Sequence, residues 1–360
     1  MQRKVGDCLG SESLPSVERK SQILMKLKDV GEFGFIDRIA PYGITRPARV
    51  VKGIGDDCAV MEFDGPDYLL VTTDLLVERI HFQLDWGWPE LMGAKSLAIQ
   101  LSDIAACGGR PLDAFISLAV PDRVDVEWLD RFYRGITEYG RAFQVNVLGG
   151  DTTGSKSDLI INVAVTGQVP RDQVMFRHTA KPGDALILTG AIGDSAAGCH
   201  LLQYSISLPR EISEPLIMAH LAPRAHVKEG RLLASSGSCT AAIDISDGLS
   251  SDLGHICDES NLGAVVHADA LPRSEPLLEA AARTGTDPLR WMLNGGEDYV
   301  LLAALRPERL DPVKALLATE GCEIHVIGTL VEGNDMILKR ADGTETPLAR
   351  GGWDHFRQEP

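Results

Sequence analysis

From Phe33 onward, short apolar runs alternate with stretches of helical spacing, the pattern of a mixed α/β protein. Tyr68–Thr72, Ala114–Val120 and Leu159–Val165 read as strands. Pro89–Cys107 and Val126–Phe143 carry helical periodicity, the first opening on proline and stopped by Gly108-Gly109. Turn-forming residues gather in VPRDQVMFRHTAKPGD, so a domain boundary is placed near residue 167. A second series follows, with strand Ala185–Thr189, helices from Asp194 and Arg224, and strands Ala241–Ile245 and Tyr299–Ala304. The expectation is an α/β (α+β) chain of two domains, residues 29–167 and 168–356, in line with a length of 360 residues. Residues 1–28 read as a polar, weakly ordered extension without the apolar core of a signal peptide, and Met25 is a candidate ancestral start.

Composition narrows the function classes. Hydrophobic residues make up 44% and charged residues 24%, enough for a core of normal size. Against 35 Lys plus Arg stand 51 Asp plus Glu, a formal charge of −16, which argues against a nucleic-acid track. The seven cysteines are scattered with no C-x-x-C, so neither a disulfide framework nor a zinc site is indicated, and a reducing cytosol suits them. No apolar run approaches the ~20 residues that a bilayer requires.

The acids gather in five places beside small residues. Gly53-Ile54-Gly55-Asp56-Asp57 is one, and Thr72-Thr73-Asp74 follows the apolar YLLV. Gly149-Gly150-Asp151-Thr152-Thr153 follows Val145–Leu148, Asp244-Ile245-Ser246-Asp247-Gly248 closes another strand, and Gly295-Gly296-Glu297-Asp298 opens the next. These are read as strand ends and tight turns. Any one alone is explained as well by turn and cap chemistry. Five together favour hard oxygen ligands for Mg²⁺, because that ion takes a few carboxylates and completes its octahedron with phosphates and water. Asp103 has Ile99, Ala106 and Cys107 as helical neighbours; spacing leaves open whether it ends an apolar stripe or is buried against a cation. A P-loop, a Rossmann glycine fingerprint, protein-kinase signatures, G-x-S-x-G and H-x-x-x-H are all missing.

In order, GIGDDCAV, TTDLLVERIHF, KSLAIQLSDIAACGGRP, GGDTT, DISDGLSSDL, GGEDYVLL and GGWDHF resemble the motifs of thiamine-monophosphate kinases over roughly residues 29–356. That family is similar to aminoimidazole ribonucleotide synthetase, selenophosphate synthetase and a hydrogenase-maturation protein. The resemblance implies an N-terminal domain that dimerises through its sheet, a C-terminal α/β domain, and ATP between them. Carried over residue by residue, it implies that Asp57, Thr72, Thr73, Asp74, Asp103, Asp151, Asp244 and Asp247 hold several Mg²⁺ ions. Gly150, Asp151, Arg177, Ser246 and Tyr133 would hold ATP, and His81, Glu297 and Trp353 the thiamine phosphate. Asp151, Asp247 and Arg177 would be catalytic. The 24 residues before Met25 are not required by the family pattern.

Such a set suits phosphoryl transfer to a phosphate. An acceptor whose second pKa is ~6 needs no general base at neutral pH, whereas each pair of unit charges ~4 Å apart repels by ~4 kcal/mol at an effective dielectric of ~20. Carboxylate-held Mg²⁺ offsets that repulsion. A selenophosphate-type activity would require a reactive cysteine with a nearby lysine, for which only Cys8 and Lys4 stand before Gly53. A catalytically idle sensor would not need the complete acid set. The expected partners are ATP, thiamine monophosphate and a second copy of the chain.

Overall fold

The computed structural model describes residues 26–40 and 44–352. The N-terminal half is a six-stranded sheet with strand order β1-β2-β3-β6-β4-β5. Its strands are β1 (Val50–Lys52), β2 (Ala59–Glu62), β3 (Asp67–Val77), β4 (Arg110–Pro121), β5 (Asn146–Ser155) and β6 (Ile160–Pro170). Pairing is antiparallel except between β4 and β5. On β6, Ile161, Val163, Val165 and Val169 alternate with less buried residues, so one face of the sheet is apolar. Against that face lie α2 (Pro89–Ala106) and α3 (Val126–Ala142). Proline opens α2, and Asp125 caps α3 by accepting the Trp128 N–H at 2.8 Å. Helix α1 (Leu27–Ile39) precedes the sheet.

The C-terminal half is a seven-stranded sheet ordered β13-β12-β9-β11-β7-β10-β8. It is built from β7 (Ala185–Leu188), β8 (Cys239–Asp244), β9 (Gly263–His267), β10 (Leu301–Leu305), β11 (His325–Val331), β12 (Met336–Lys339) and β13 (Glu345–Pro347). Six helices fill its connections, namely α4 (Asp194–Gln203), α5 (Arg210–Leu221), α6 (Val227–Ser235), α7 (Leu249–Ser260), α8 (Glu275–Thr284) and α9 (Pro288–Asn294). Helix α10 (Leu310–Thr319) follows β10. Every residue of β10 is buried, as a strand covered on both faces requires. Leu302 and Ala304 point into one core with Leu186, Leu188 and Ile243. Leu301, Ala303 and Leu305 point into another, which also contains Leu70, Leu97, Leu101, Ile116 and Val163 of the first half. The two halves therefore share a core, and α2 runs through the middle of it. This helix is buried around nearly its whole circumference because it touches both sheets as well as α3, α5 and α6.

Every strand and helix expected from the pattern is present, with differences in extent. Thr72-Thr73-Asp74 does not follow a strand but lies inside β3, which runs on to Val77. Gly149–Thr153 is not a turn but the body of β5. An edge strand pairs on one side only, and β5 is largely exposed, so no apolar alternation marked it. Residues 295–300 are not strand; β10 begins at Leu301. The helix expected from Arg224 begins at Val227.

Candidate active site

The three acids Asp57, Asp103 and Asp244 offer carboxylate oxygens that all lie within 4.8 Å of one another. Asp57 comes from the β1–β2 loop, Asp103 from the last turn of α2, and Asp244 from the end of β8 in the other half. The cluster therefore closes only where the two halves meet. Asp103 faces the other acids and accepts from the Thr72 hydroxyl on β3. Asp74, on the same face of β3, accepts from Gln100 Nε2 at 2.9 Å. Arg177, in a short turn after β6, donates to Asp57 Oδ1 at 2.6 Å through its Nη2.

Burial drives the electrostatics. It pushes the Asp244 carboxyl up to about 8, with Asp57 adding repulsion. It raises Asp103 well above the carboxylate range, helped by Asp74, Asp244 and Asp57. Asp57 is raised by burial against the opposing pull of Arg177, and Asp74 is raised by burial as well. Asp57 Oδ2 and Arg177 Nε are buried without a hydrogen-bond partner. Crowded acids held partly protonated, with an orphaned carboxylate oxygen among them, fit a divalent cation held by hard oxygens.

The loop after β8 continues the site. Asp252, at the first turn of α7, is buried and accepts the backbone N–H groups of Ser246, Asp247 and Gly248 at 3.1, 3.2 and 3.1 Å. Glu297 N in turn donates to the Ser246 carbonyl at 2.8 Å. Between them Gly296 leaves no room for a Cβ, which would meet the Ser246 carbonyl oxygen. Glu297 is thus laid directly beside the 244–248 loop. Its carboxylate receives Lys95 Nζ of α2 at 3.1 Å and His220 Nδ1 of α5 at 3.1 Å. Trp86 packs edge-on against the His220 ring, centroids 5.8 Å apart. Trp86 and His81 both belong to the loop between β3 and α2. The Val77 N–H donates to His81 Nδ1 at 2.9 Å, which places the ring proton on Nε2.

Other expected residues stand apart. Thr73 lies on the opposite face of β3 from Thr72 and receives Asn162 Nδ2 at 2.9 Å. Asp151 pairs with Ser117 of β4, which pairs with Asn162 of β6, which pairs with Leu75 of β3. Three strand spacings, about 14 Å, therefore separate it from β3 within one chain. Gly150 has φ +149, and a Cβ there would meet the Ile116 carbonyl. Tyr133 packs edge-on against Phe132 at 5.6 Å in the helix layer. Trp353 lies outside the described residues.

Sequence reasoning passed over Lys95, His220 and Asp252. It also passed over His178 and Glu259, whose ligand atoms converge with those of Asp56 within 4.8 Å; there Lys52 Nζ already supplies a cation, 2.8 Å from Glu259. A signal for Lys95 did exist. Along α2 the polar residues repeat as Ser96, Gln100, Asp103 and as Lys95, Ser102, spacings that draw two polar seams on an apolar helix.

Comparison with known proteins bears on this geometry. The family model for AIR synthase related protein matches residues 55–169 with its N-terminal domain and residues 181–340 with its C-terminal domain. Thiamine-monophosphate kinase of Salmonella typhimurium is 35% identical over 330 residues, 91% of this chain and 98% of that protein. The chain belongs to the thiamine-monophosphate kinase family. The Bacillus subtilis member is 33% identical over 329 residues, covering 91% and 99% of the two chains. Among solved structures, AaThiL complexed with AMPPCP and TMP is similar at a TM-score of 0.81, with 32% identity, covering 93% of this chain and all (100%) of that one. The hydrogenase maturation protein HypE in complex with ATP shares the fold at a TM-score of 0.67 and 18% identity, over 89% and 96% of the chains.

Proposed function

We propose that this chain transfers the γ-phosphoryl group of ATP to the phosphate of thiamine monophosphate, forming thiamine diphosphate. The observation that carries the reading is the convergence of Asp57, Asp103 and Asp244 from both halves, with a buried carboxylate oxygen left unpartnered, in a member of this family. Asp57, Asp103 and Asp244 would hold Mg²⁺, with Thr72, Asp74 and Asp247 adjoining. When bound, Mg²⁺ supplies charge neutralisation between two polyphosphate anions.

The chain's own residues divide the remaining tasks. Arg177, anchored by Asp57, offers a half-buried guanidinium to the charge on the transferring group. Ser246, fixed by the loop around Asp252, faces the nucleotide. Glu297 and His81 receive the organic part of the acceptor. No side chain need remove a proton, because the acceptor phosphate is ionised at neutral pH with a second pKa of ~6. Chemistry is thus positioning and electrostatics.

The reading includes a homodimer. The face of the first sheet away from α2 presents Leu75, Phe115 and Leu148 to solvent, and β5 is an edge strand. Two-fold pairing of these faces covers them and brings Gly150 and Asp151 of one protomer toward the acids of its partner. Residues 29–167 would thus carry dimerisation and metal binding, and 168–356 would complete the cleft. Among the described residues no helix is long and apolar enough to cross a membrane, and a cytoplasmic site of action accords with the reading. Purified protein given ATP, Mg²⁺ and thiamine monophosphate should release ADP and thiamine diphosphate, and should leave free thiamine unchanged. Background ADP with that acceptor, but turnover with selenide or an aminoimidazole precursor, would move the chain to a sister activity.

A further inference from the structure

Lys95 is 1% exposed, and His220 is equally buried. They reach Glu297 from two different halves of the molecule, Lys95 from α2 and His220 from α5. Lys95 Nζ is 3.1 Å from each carboxylate oxygen, and His220 Nδ1 is 3.1 Å from Oε2 and 3.2 Å from Ser195 Oγ. The side chain of Glu297 keeps 24% of its surface exposed while its two partners keep 2% each. The ionic group is therefore sealed from behind and open in front.

Three further features argue that this is more than a strut between domains. A buried ion pair adds little net stability over an apolar replacement of similar volume, so retaining one calls for another reason. Glu297 has φ +63 and Tyr299 has φ +52, conformations costly for residues with a Cβ and tolerated where the surroundings over-determine them. His220 Nε2 is buried without a partner, on a ring that Trp86 of the His81 loop touches. Lysine, carboxylate and neutral imidazole sum to no net charge. Lys95 and His220 take up part of the carboxylate's acceptor capacity, and 24% of the Glu297 side-chain surface stays exposed. Such a group suits an N–H donor on a ring better than it suits a bare cation.

Resting on the function proposed above, we propose that Lys95 and His220 are positioning residues. From opposite halves they lock the Glu297 carboxylate into the orientation that accepts a hydrogen bond from the amino-substituted heteroaromatic portion of the phosphate acceptor. Specificity for that portion is then coupled to correct seating of the two halves on each other.

Steady-state kinetics with ATP and thiamine monophosphate varied separately test this. Lys95→Met and His220→Leu should raise KM for thiamine monophosphate about tenfold or more, the loss of one well-placed charge-assisted hydrogen bond. KM for ATP should stay near that of the wild type. His220→Asn, which returns an N–H near the Nδ1 position, should recover most of the loss. The double variant Lys95→Met/Glu297→Gln leaves no unpaired buried charge; it should melt near the wild type and still show the raised acceptor KM. An unchanged acceptor KM in these variants, an equal rise in both KM values, or restoration by the double variant would reduce the triad to a domain latch. Absence of wild-type turnover with thiamine monophosphate would instead sink the kinase reading, an outcome seen before any variant is measured.

Discussion

At Asp103 a single buried carboxyl carries the conflict on which the site is built. Three acids converge, each with its pKa raised by burial, Asp103 and Asp244 also by neighbouring carboxylates and Asp57 against the pull of Arg177. Asp103→Asn removes one of the repelling charges. We expect turnover to fall by at least about a hundredfold, the scale seen when a preorganised charge-stabilising group is lost, while the metal-free melting temperature holds or rises. A collapsed melting temperature would make Asp103 a structural acid. The same raised values set a pH dependence. Asp244 moves from the usual 3.8 to about 8 in the fold, so the folded, metal-free protein holds a proton that the unfolded chain has released. Its contribution to stability is fully present below pH 4 and is lost as pH rises through about 8. Binding of a divalent ion must expel that proton, so the Mg²⁺-induced rise in melting temperature should be larger at pH 8 than at pH 6. Differential scanning fluorimetry with and without Mg²⁺ measures it, and a larger rise at pH 6 would contradict the assignment.

At the scale of elements, what the sequence made legible followed periodicity. Strands β3, β4 and β6 and helix α3 announced themselves because one face of each is apolar, and α2 because a long, mostly apolar segment opens on proline and stops at Gly108-Gly109. β5 did not, because a glycine-rich edge strand has no core face to display. The acids were legible by residue type and motif order, and Asp57, Asp103 and Asp244 do meet. The separation of Asp151 and Thr73 from them was not, since strand order and sheet face are properties of pairing rather than of local pattern. That Lys95 and His220 share a carboxylate was not legible for a similar reason: they stand 125 positions apart, and only packing brings them together. The 244–248 loop shows how much one contact matters at this scale. Gly296 permits the 295–298 segment to lie on the Ser246 carbonyl. Gly296→Ala should cost about 1–3 kcal/mol by overpacking and raise KM for both substrates, measured by urea unfolding and steady-state kinetics. A variant of unaltered stability would show that the segment can shift without consequence.

For the whole molecule, the open face of the first sheet is the feature that calls for a partner. Leu148, on the edge strand β5, is 59% exposed, and Leu75, on β3, is 52% exposed. Light scattering should find a dimer for the full chain and for a chain lacking residues 1–24, because that polar segment has few apolar positions to offer an interface. Leu148→Asp with Phe115→Asp should yield monomers with little kinase activity, if Asp151 completes the partner's site. Monomers of full activity would remove Asp151 from the reaction.

The burial of α2 between the two sheets has an evolutionary corollary. Neither half is an exchangeable module, since each would leave its own side of that helix bare. Recombination between relatives should succeed only when α2 travels with matched surfaces on both flanks. Heating should likewise dismantle the protomer in one calorimetric step rather than two.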